Sequence, residues 1–260
     1  MDIEHKYERI RDHWLKWAES TGAKRWVVGI SGGVDSAVVA KMAADIFGKE
    51  RVAGLLLPCG FQKDYKDAEK VLDFIGCERH SYNIGGMNSL LKLGFFEDGV
   101  KTTPQMEINA PARLRMVTLY AFAQLHRDMY VLNTCNRSES VVGNDTLFGD
   151  DCGSYAPIQW LTKGEVKELG KFIGLPDEIV EKTPVDGLQP QTDEERLGLK
   201  YSDIDRYIRF GLGEPEVVES ILKKYNANRF KLKMVKIDGP EFLEEFDMFR
   251  DSGLERTEAK

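Results

Sequence analysis

The sequence predicts an α/β fold built on a doubly wound parallel sheet. Short apolar runs alternate with longer stretches of helical periodicity along most of the chain. The first apolar run, 26–30, ends in a glycine-serine turn that leads directly into a helical stretch. Strands that alternate with helices form parallel sheets through right-handed crossovers, so helices are expected on both faces of the sheet.

Each element follows from its local pattern. A leading helix is predicted over 7–20, where an apolar stripe is formed by Ile10, Trp14, Leu15 and Trp17. The predicted strands are 26–30, 52–57, 79–82 and 130–134. The predicted helices are 36–47, 64–75, 112–125, 163–173, 202–210 and 215–225. Residues 85–108 should mix a short helix with loop, 143–157 should form a loop, and 183–192 a mobile lid.

Length and composition indicate one domain over 1–260. We expect a core over about 1–235 with a helical C-terminal extension, and a mobile tail over 236–260. The net charge of −7 argues against nucleic acid and anionic membranes as partners. No apolar run approaches the roughly 20 residues that span a bilayer, and the N-terminus does not resemble a signal peptide. A cytoplasmic location is therefore expected.

The cysteines and histidines do not predict a metal centre. Cys59, Cys77, Cys135 and Cys152 are too far apart for a C-x-x-C motif, and the histidines are scattered. The cysteines are interpreted as packing residues in a reducing compartment, although Cys152 lies in the polar loop.

The turn after the first predicted strand carries the strongest functional signal. Residues 31–36 read S-G-G-V-D-S, in which the glycines let backbone N–H groups approach an anion. The following helix N-terminus adds partial positive charge, and the Asp35 carboxylate suits a hard cation such as Mg²⁺. Neither a Walker loop nor a dinucleotide fingerprint is present. The pattern predicts a phosphate-binding loop, with an ordinary strand–turn–helix corner as the alternative.

The S-G-G-V-D-S turn resembles the pyrophosphate loop of the N-type ATP pyrophosphatases, which split ATP between its α and β phosphates. Four further parts of the chain resemble the NAD synthetases in matching order. They are 109–116 (the N-x-x-A-R-x-R-M helix start), 133–139 (a strand-to-helix segment with an acidic metal ligand), 148–150 with 161–163 (the Y-G-D loop and helix entry), and 182–184 with 191–198 (the lid). The resemblance covers most of 25–232 and implies a Rossmann-like sheet of the ATP pyrophosphatase type.

The resemblance implies amidation of deamido-NAD, nicotinic acid adenine dinucleotide. In that reaction the substrate carboxylate attacks the α-phosphorus of ATP, and ammonia then displaces AMP from the acyl-adenylate to leave NAD. A carboxylate is a poor acyl donor at neutral pH, so adenylation supplies the leaving group, with release of pyrophosphate. The protein must position the reactants and neutralise phosphate charge. The resemblance also implies Mg²⁺ as cofactor, a homodimer, and ammonia that arrives free or from a separate glutaminase. The leading aromatic helix and the helix over 110–125 are the expected dimer surfaces.

The matching positions receive roles from the family. ATP is expected to contact Gly29, Ile30, Ser31, Gly32, Gly33, Val34, Asp35, Ser36, Leu57, Thr134, Lys163 and Val185. Mg²⁺ would be shared by Asp35 and Glu139, while Lys163 would bind phosphate as a point charge. Asp150 would orient ammonia or accept its proton. The acid substrate would contact Arg115 (from across a dimer interface), Asp150, Ser154, Phe230 and Lys231.

Each assignment also has a structural alternative. Glu139 could cap its helix, and Asp150 could simply form a turn. Arg113, Arg115 and Lys163 could be solvated surface cations.

Four positions depart from the family pattern. Leu147 replaces Lys or Arg, Ser154 replaces an acidic residue, and Phe230 replaces the His of a His-Lys pair. These three fall where the family binds deamido-NAD, whereas Val185 replaces a hydroxyl residue on the ATP side. A divergent member with the same substrate is one interpretation, and a different carboxylate substrate is another.

Three other functions are alternatives to amidation of deamido-NAD. A GMP-synthetase-like enzyme shares the phosphate loop but should lack the Arg-x-Arg-Met and lid segments. A tRNA-thiolating relative would use cysteines such as Cys135 and Cys152, but the acidic balance disfavours RNA. A catalytically silent nucleotide-binding regulator is disfavoured because Asp35, Glu139 and Lys163 are all present.

Overall fold

A computed structural model of the chain describes residues 2–62, 64–182 and 192–232. Val185, most of the predicted lid, and the predicted tail at 236–260 lie outside the described residues.

Four parallel strands form one sheet, and their order confirms the predicted α/β fold. The strands are β1 (Arg25–Gly29), β2 (Val52–Leu56), β3 (Glu78–Ser81) and β4 (Met129–Val131). The order is β3-β2-β1-β4, so the chain reverses direction across the sheet between β1 and β4. Ligands in such sheets bind outside the carboxyl ends of the strands at this switch point.

Helices connect the strands and continue after the last one. They are α1 (Ile3–Thr21), α2 (Val34–Phe47), α3 (Tyr65–Ile75), α4 (Gly85–Glu97), α5 (Pro104–Ala123), α6 (Arg137–Val142), α7 (Lys163–Phe172), α8 (Asp177–Val180), α9 (Asp193–Leu197), α10 (Tyr201–Phe210) and α11 (Pro215–Asn228). Among the described residues, none of these helices combines the length and apolar character that a membrane crossing requires.

The two faces of the sheet bury separate apolar clusters, as alternation along each strand requires. Val28 of β1 packs in the larger cluster with helices α1, α2, α3 and α7. Its neighbour Val27 points to the other face, where the cluster includes Phe122 of α5. A third cluster joins α6, α10 and α11 around Ile204 and Ile221, and this is the predicted helical extension.

The aromatic stripe of α1 lies in the core. Trp14 is fully buried and meets Trp26 edge-on with ring centroids 5.2 Å apart. Trp17 packs edge-on against Tyr130 of β4. These rings therefore hold α1 on the sheet, and the dimer surface expected on this helix stays a prediction.

Helix α5 begins earlier than the sequence predicted. Thr103 caps it by accepting a hydrogen bond from the Met106 N–H at 3.2 Å, and Pro104 occupies the first turn, where its missing N–H costs nothing. The segment 109–116, predicted as a helix start, consequently lies in the helix interior. The prediction of that start was wrong because residues 85–108, expected as mixed loop, contain α4 and the first turns of α5.

Candidate active site

The predicted phosphate-binding loop lies at the carboxyl end of β1 and leads into α2. Gly32 adopts φ 80°, and a Cβ added there would lie 2.8 Å from the backbone N of Ala68, so both conformation and space require glycine. The Ser36 hydroxyl accepts from the Ser31 N–H at 3.2 Å and donates to the Gly33 carbonyl at 3.1 Å. These bonds brace the loop so that it can hold an anion in a fixed geometry.

Three charged side chains converge at the switch point between β1 and β4. The Lys163 ammonium donates to Asp35 Oδ2 at 2.6 Å and to Glu139 Oε1 at 2.9 Å. Asp35 also accepts from the Asn136 side chain at 2.8 Å. Asp35 follows β1 and Glu139 follows β4, so the predicted meeting of the two carboxylates from neighbouring strand ends is confirmed.

The side chains of the Lys163 cluster are largely buried, and burial shifts the pKa values of Lys163 and Glu139. Only 5% of the Lys163 side chain is exposed. Burial alone lowers the pKa of Lys163, but the carboxylates of Asp35 and Glu139 outweigh it and raise that pKa well above its usual value. Burial raises the pKa of Glu139, against the opposing effect of Lys163. The alternative that Lys163 is a solvated surface cation is therefore wrong.

Asp35 and Glu139 have the donor chemistry that suits Mg²⁺. This ion takes one or two carboxylates together with phosphate oxygens and water, and these two flank a phosphate loop. In the described part of the chain, no group of three or more His, Cys, Asp or Glu side chains could hold a metal alone. Glu139 also closes a capping box with Asn136, so the structural alternative for it holds as well.

A cavity of about 720 Å³ opens beside this cluster. It collects nearly all the predicted site residues that the structure describes: Gly29, Ile30, Ser31, Gly33, Val34, Asp35, Ser36, Leu57, Arg115, Thr134, Glu139, Asp150, Lys163, Phe230 and Lys231. Gly32 and Ser154 do not line it. Gly32 faces α3 instead, and the Ser154 N–H donates to the Val131 carbonyl at 2.7 Å.

Arg115 lies in the cavity of its own chain, where it donates through Nε to the Leu57 carbonyl at 2.9 Å. It is therefore not the solvated surface cation of the alternative interpretation. Its expected contact across a dimer interface stays a prediction.

The loop over 143–157 forms the acidic side of the cavity. Asp150 lines the cavity, and its Oδ1 accepts from the Thr146 N–H at 2.9 Å. Although the residue as a whole is exposed, loss of hydration around the carboxylate raises the pKa of Asp150. Lys231 donates to the carbonyls of Gly143 at 3.0 Å and Asp145 at 2.8 Å. It thus secures the loop as well as lining the cavity.

Asp145 is a site residue that the sequence analysis missed. Its side chain is 1% exposed and lies 3.4 Å from the Lys231 ammonium, yet neither carboxylate oxygen accepts a hydrogen bond from any residue that the structure describes. Burial raises the pKa of Asp145 to about 6. An aspartate in a loop rich in Gly and Asp carries no signal of this burial, because only the fold brings Lys231 over it.

The departures from the family pattern occupy different places. Leu147 and Ser154 lie off the cavity wall, and the Leu147 carbonyl accepts from Arg113 Nε at 3.4 Å. Phe230 is 61% exposed and contributes to the lining.

Comparison with known proteins agrees with this geometry. A family model described as NAD synthase matches residues 6–237. The NH3-dependent NAD(+) synthetases of Wolinella succinogenes and Pyrococcus horikoshii are both 38% identical over 83% of this chain, and cover 88% and 84% of their own lengths.

Solved structures agree as well. The NMN synthetase of Francisella tularensis is 30% identical with a TM-score of 0.84, covering 92% of this chain and 99% of that one. The NH3-dependent NAD synthetase of Campylobacter jejuni is 27% identical with a TM-score of 0.72, over 91% of this chain and 99% of that one. The match to the family model over most of the length, together with these relatives, shows that the chain belongs to the NAD synthase family.

Proposed function

We propose that the chain catalyses ATP-dependent amidation of a nicotinate nucleotide with ammonia, and that deamido-NAD, converted to NAD, is the first candidate. The observation that carries the proposal is the convergence of Asp35, Glu139 and Lys163 on a phosphate-binding loop inside one large cavity. The curated relatives are named for ammonia-dependent synthesis of NAD.

The residues divide the work between two steps. The braced loop over 31–36 binds the phosphates of ATP and orients the α-phosphorus toward the substrate carboxylate. A carboxylate oxygen forms a bond to that phosphorus while the bond to the β-phosphate oxygen breaks, and pyrophosphate leaves with the electron pair. Ammonia then attacks the acyl carbon and AMP departs. Asp150, which lines the same cavity, would orient ammonia and accept a proton.

Asp35 and Glu139 are the residues that would hold Mg²⁺. The ion, when bound, neutralises phosphate charge during adenylation. Lys163 would serve the phosphates while it remains tied to the same two carboxylates.

Nicotinic acid mononucleotide is a second candidate for the acid substrate. The solved structure named an NMN synthetase has a TM-score of 0.84 with this chain, against 0.72 for the Campylobacter jejuni NAD synthetase. Leu147, Ser154 and Phe230 also depart from the family pattern on the acid side of the site. The adenylation chemistry is the same for both acids, since both present a nicotinate carboxylate.

A homodimer formed through α4 and α5 is part of the proposal. Helix α4 buries only Asn88, whereas Leu90 and Phe96 are 69% and 78% exposed in the described chain. Val117 of α5 is also half exposed. Exposed apolar side chains on two helices that contact each other are consistent with an association surface, and a second copy would bury them. The ammonia would arrive free or from a separate glutaminase, in the cytoplasm.

The test is a parallel assay of the two acids with ATP, Mg²⁺ and ammonium, following AMP and amide product together. Deamido-NAD should give NAD and AMP in equal amounts. A kcat/KM higher for the mononucleotide would assign the second candidate. ATP binding without AMP release from either acid would overturn the proposed reaction.

A further inference from the structure

The positive charge of Lys163 is already paired with protein carboxylates, so this residue neutralises little of the charge on the departing pyrophosphate. Its ammonium points two of its three N–H donors at carboxylates, Asp35 at 2.6 Å and Glu139 at 2.9 Å. The side chain is 5% exposed, so this pairing is shielded from water. Two negative charges thus already balance Lys163, while the leaving group is a polyanion. A cation beside the loop would add to the neutralisation that Mg²⁺ on Asp35 and Glu139 would supply.

Lys182 is a cation in that position. Its Nζ lies 3.3 Å from the Gly32 carbonyl oxygen, which belongs to the phosphate loop itself. Its other partner in the described part of the chain is Asp67 Oδ2 of α3, at 2.8 Å. The side chain is 21% exposed and lines the same cavity as Ser31 and Lys163.

The packing of the loop on α3 sets this placement. Gly32 approaches α3 so closely that a Cβ would lie 2.8 Å from the Ala68 N atom. Asp67 therefore lies directly beside the loop. Hydrogen bonding to Lys182 lowers the pKa of Asp67, so the carboxylate stays ionised beside the ammonium. An ammonium has three donors, and the two protein acceptors leave one for a ligand in the cavity.

We propose that Lys182 is a phosphate-binding residue that contacts the β- and γ-phosphates of ATP and then the departing pyrophosphate. This inference rests on the proposed function for the identity of the reaction. As the oxygen bridging the α- and β-phosphates leaves with its electron pair, charge builds up on the pyrophosphate, and the Lys182 ammonium stabilises it without transferring a proton. The competing interpretation is a surface ion pair between Lys182 and Asp67, which would contribute little.

The test measures pyrophosphate binding by calorimetry in the presence of Mg²⁺, on the full chain without acid substrate. Lys182→Met should weaken binding about tenfold to a hundredfold, the range expected for a lost hydrogen bond to a charged group. Lys182→Arg should retain most of the affinity. Lys167→Met is the matched control, because Lys167 pairs with Glu181 at 3.1 Å and does not line the cavity. It should bind pyrophosphate as the unmodified protein does.

Asp67→Asn distinguishes a phosphate-binding role of Lys182 from a purely structural ion pair. This variant tests the proposal even if Lys182→Met fails to fold. This change removes the anion but keeps the cation, so pyrophosphate should bind at least as tightly as before. Unchanged affinity in Lys182→Met, or equal losses in Lys182→Met and Asp67→Asn, would overturn the inference. Because the measurement omits the acid substrate, Lys182-dependent pyrophosphate binding would stand even if neither nicotinate nucleotide were amidated.

Discussion

Lys163 joins two carboxylates that would otherwise repel each other in a nearly dry site. Replacing it with methionine leaves Asp35 and Glu139 without their cation. Removing one partner of a buried ion pair costs roughly 3–5 kcal/mol. We expect Lys163→Met to lose about that much free energy of unfolding in urea titrations without metal, and to lose amide synthesis.

The exposed pair of Lys167 with Glu181 provides the comparison for Lys163→Met. Surface pairs contribute at most about 1 kcal/mol, so Lys167→Met should be nearly neutral. Equal stability losses in the two variants would show that Lys163 is not the buried cation described above.

The burial of Asp145 should make the free energy of unfolding depend on pH. Its pKa is raised from 3.8 to about 6 by burial, so the folded chain holds this proton over a range where the unfolded chain has lost it. Its contribution to stability therefore falls as pH rises from about 4 to about 6. Over that pH range, the free energy of unfolding of Asp145→Asn should rise by up to about 3 kcal/mol relative to that of the unmodified protein.

Urea titrations at about pH 4 and about pH 7 would measure the effect of Asp145, with the exposed Asp98→Asn as control. A difference between Asp145→Asn and the unmodified protein that did not change with pH would contradict the assignment.

Residue-scale prediction from sequence worked where chemistry follows local spacing. Asp35 and Glu139 could be predicted because each follows a strand, and parallel strand ends meet at one edge. The bridging position of Lys163 could not, since it depends on how α7 packs against α2 and α6. Nor could the place of Lys182, which depends on a contact with α3.

At the scale of elements, the first turn of α7 positions Lys163. Thr162 and Glu165 form a capping box there. The Lys163 N–H donates to the Ser138 hydroxyl at 3.0 Å, and the Gly164 N–H donates to Asp205 at 2.7 Å. Helix α7 is thereby tied to both α6 and α10.

Thr162→Ala should therefore affect turnover as well as stability. Loss of an N-cap side chain costs about 1 kcal/mol. Asp2→Ala, which removes the cap of α1, should cost a similar amount without changing amide synthesis. Thermal unfolding and initial rates of both variants check this. Equal rates in the two variants would mean that the cap does not position Lys163.

Element boundaries show where sequence patterns fail. The phosphate loop and α2 are predicted almost to the residue, because glycine and an apolar run define them. Strand β4 ends at Val131 rather than at 134. The next residue, Leu132, forms an isolated parallel β-bridge with Tyr155. The short helices α8 and α9 depend on tertiary packing and had no periodic signal.

At the scale of the whole molecule, the reversal of strand order creates the site. Residues that follow β1 and β4 face one cavity because these strands are neighbours in the sheet although they are far apart in the sequence. The helical extension adds Phe230 and Lys231 to the same wall. The parallel sheet was predictable from alternation, whereas the place of Phe230 and Lys231 at the site followed only from the family resemblance.

The exposed face of α4 should control association. Leu90→Glu places a charge on a side chain that is 69% exposed in the single chain, so folding should be unaffected. It should convert a dimer to monomer in sedimentation velocity. Phe210→Glu, at a side chain 73% exposed on α10, should leave the assembly intact. A dimer that survives Leu90→Glu would place the interface on another surface.

Attack of the substrate carboxylate on the α-phosphorus of ATP is the central step of the proposed reaction. The direct test uses the nicotinate nucleotide that turns over, labelled with ¹⁸O in its carboxylate, with ATP, Mg²⁺ and ammonium. Mass spectrometry of the products should find one labelled oxygen in AMP and none in pyrophosphate. AMP without the label would contradict an acyl-adenylate, and with it the reaction assigned to this site.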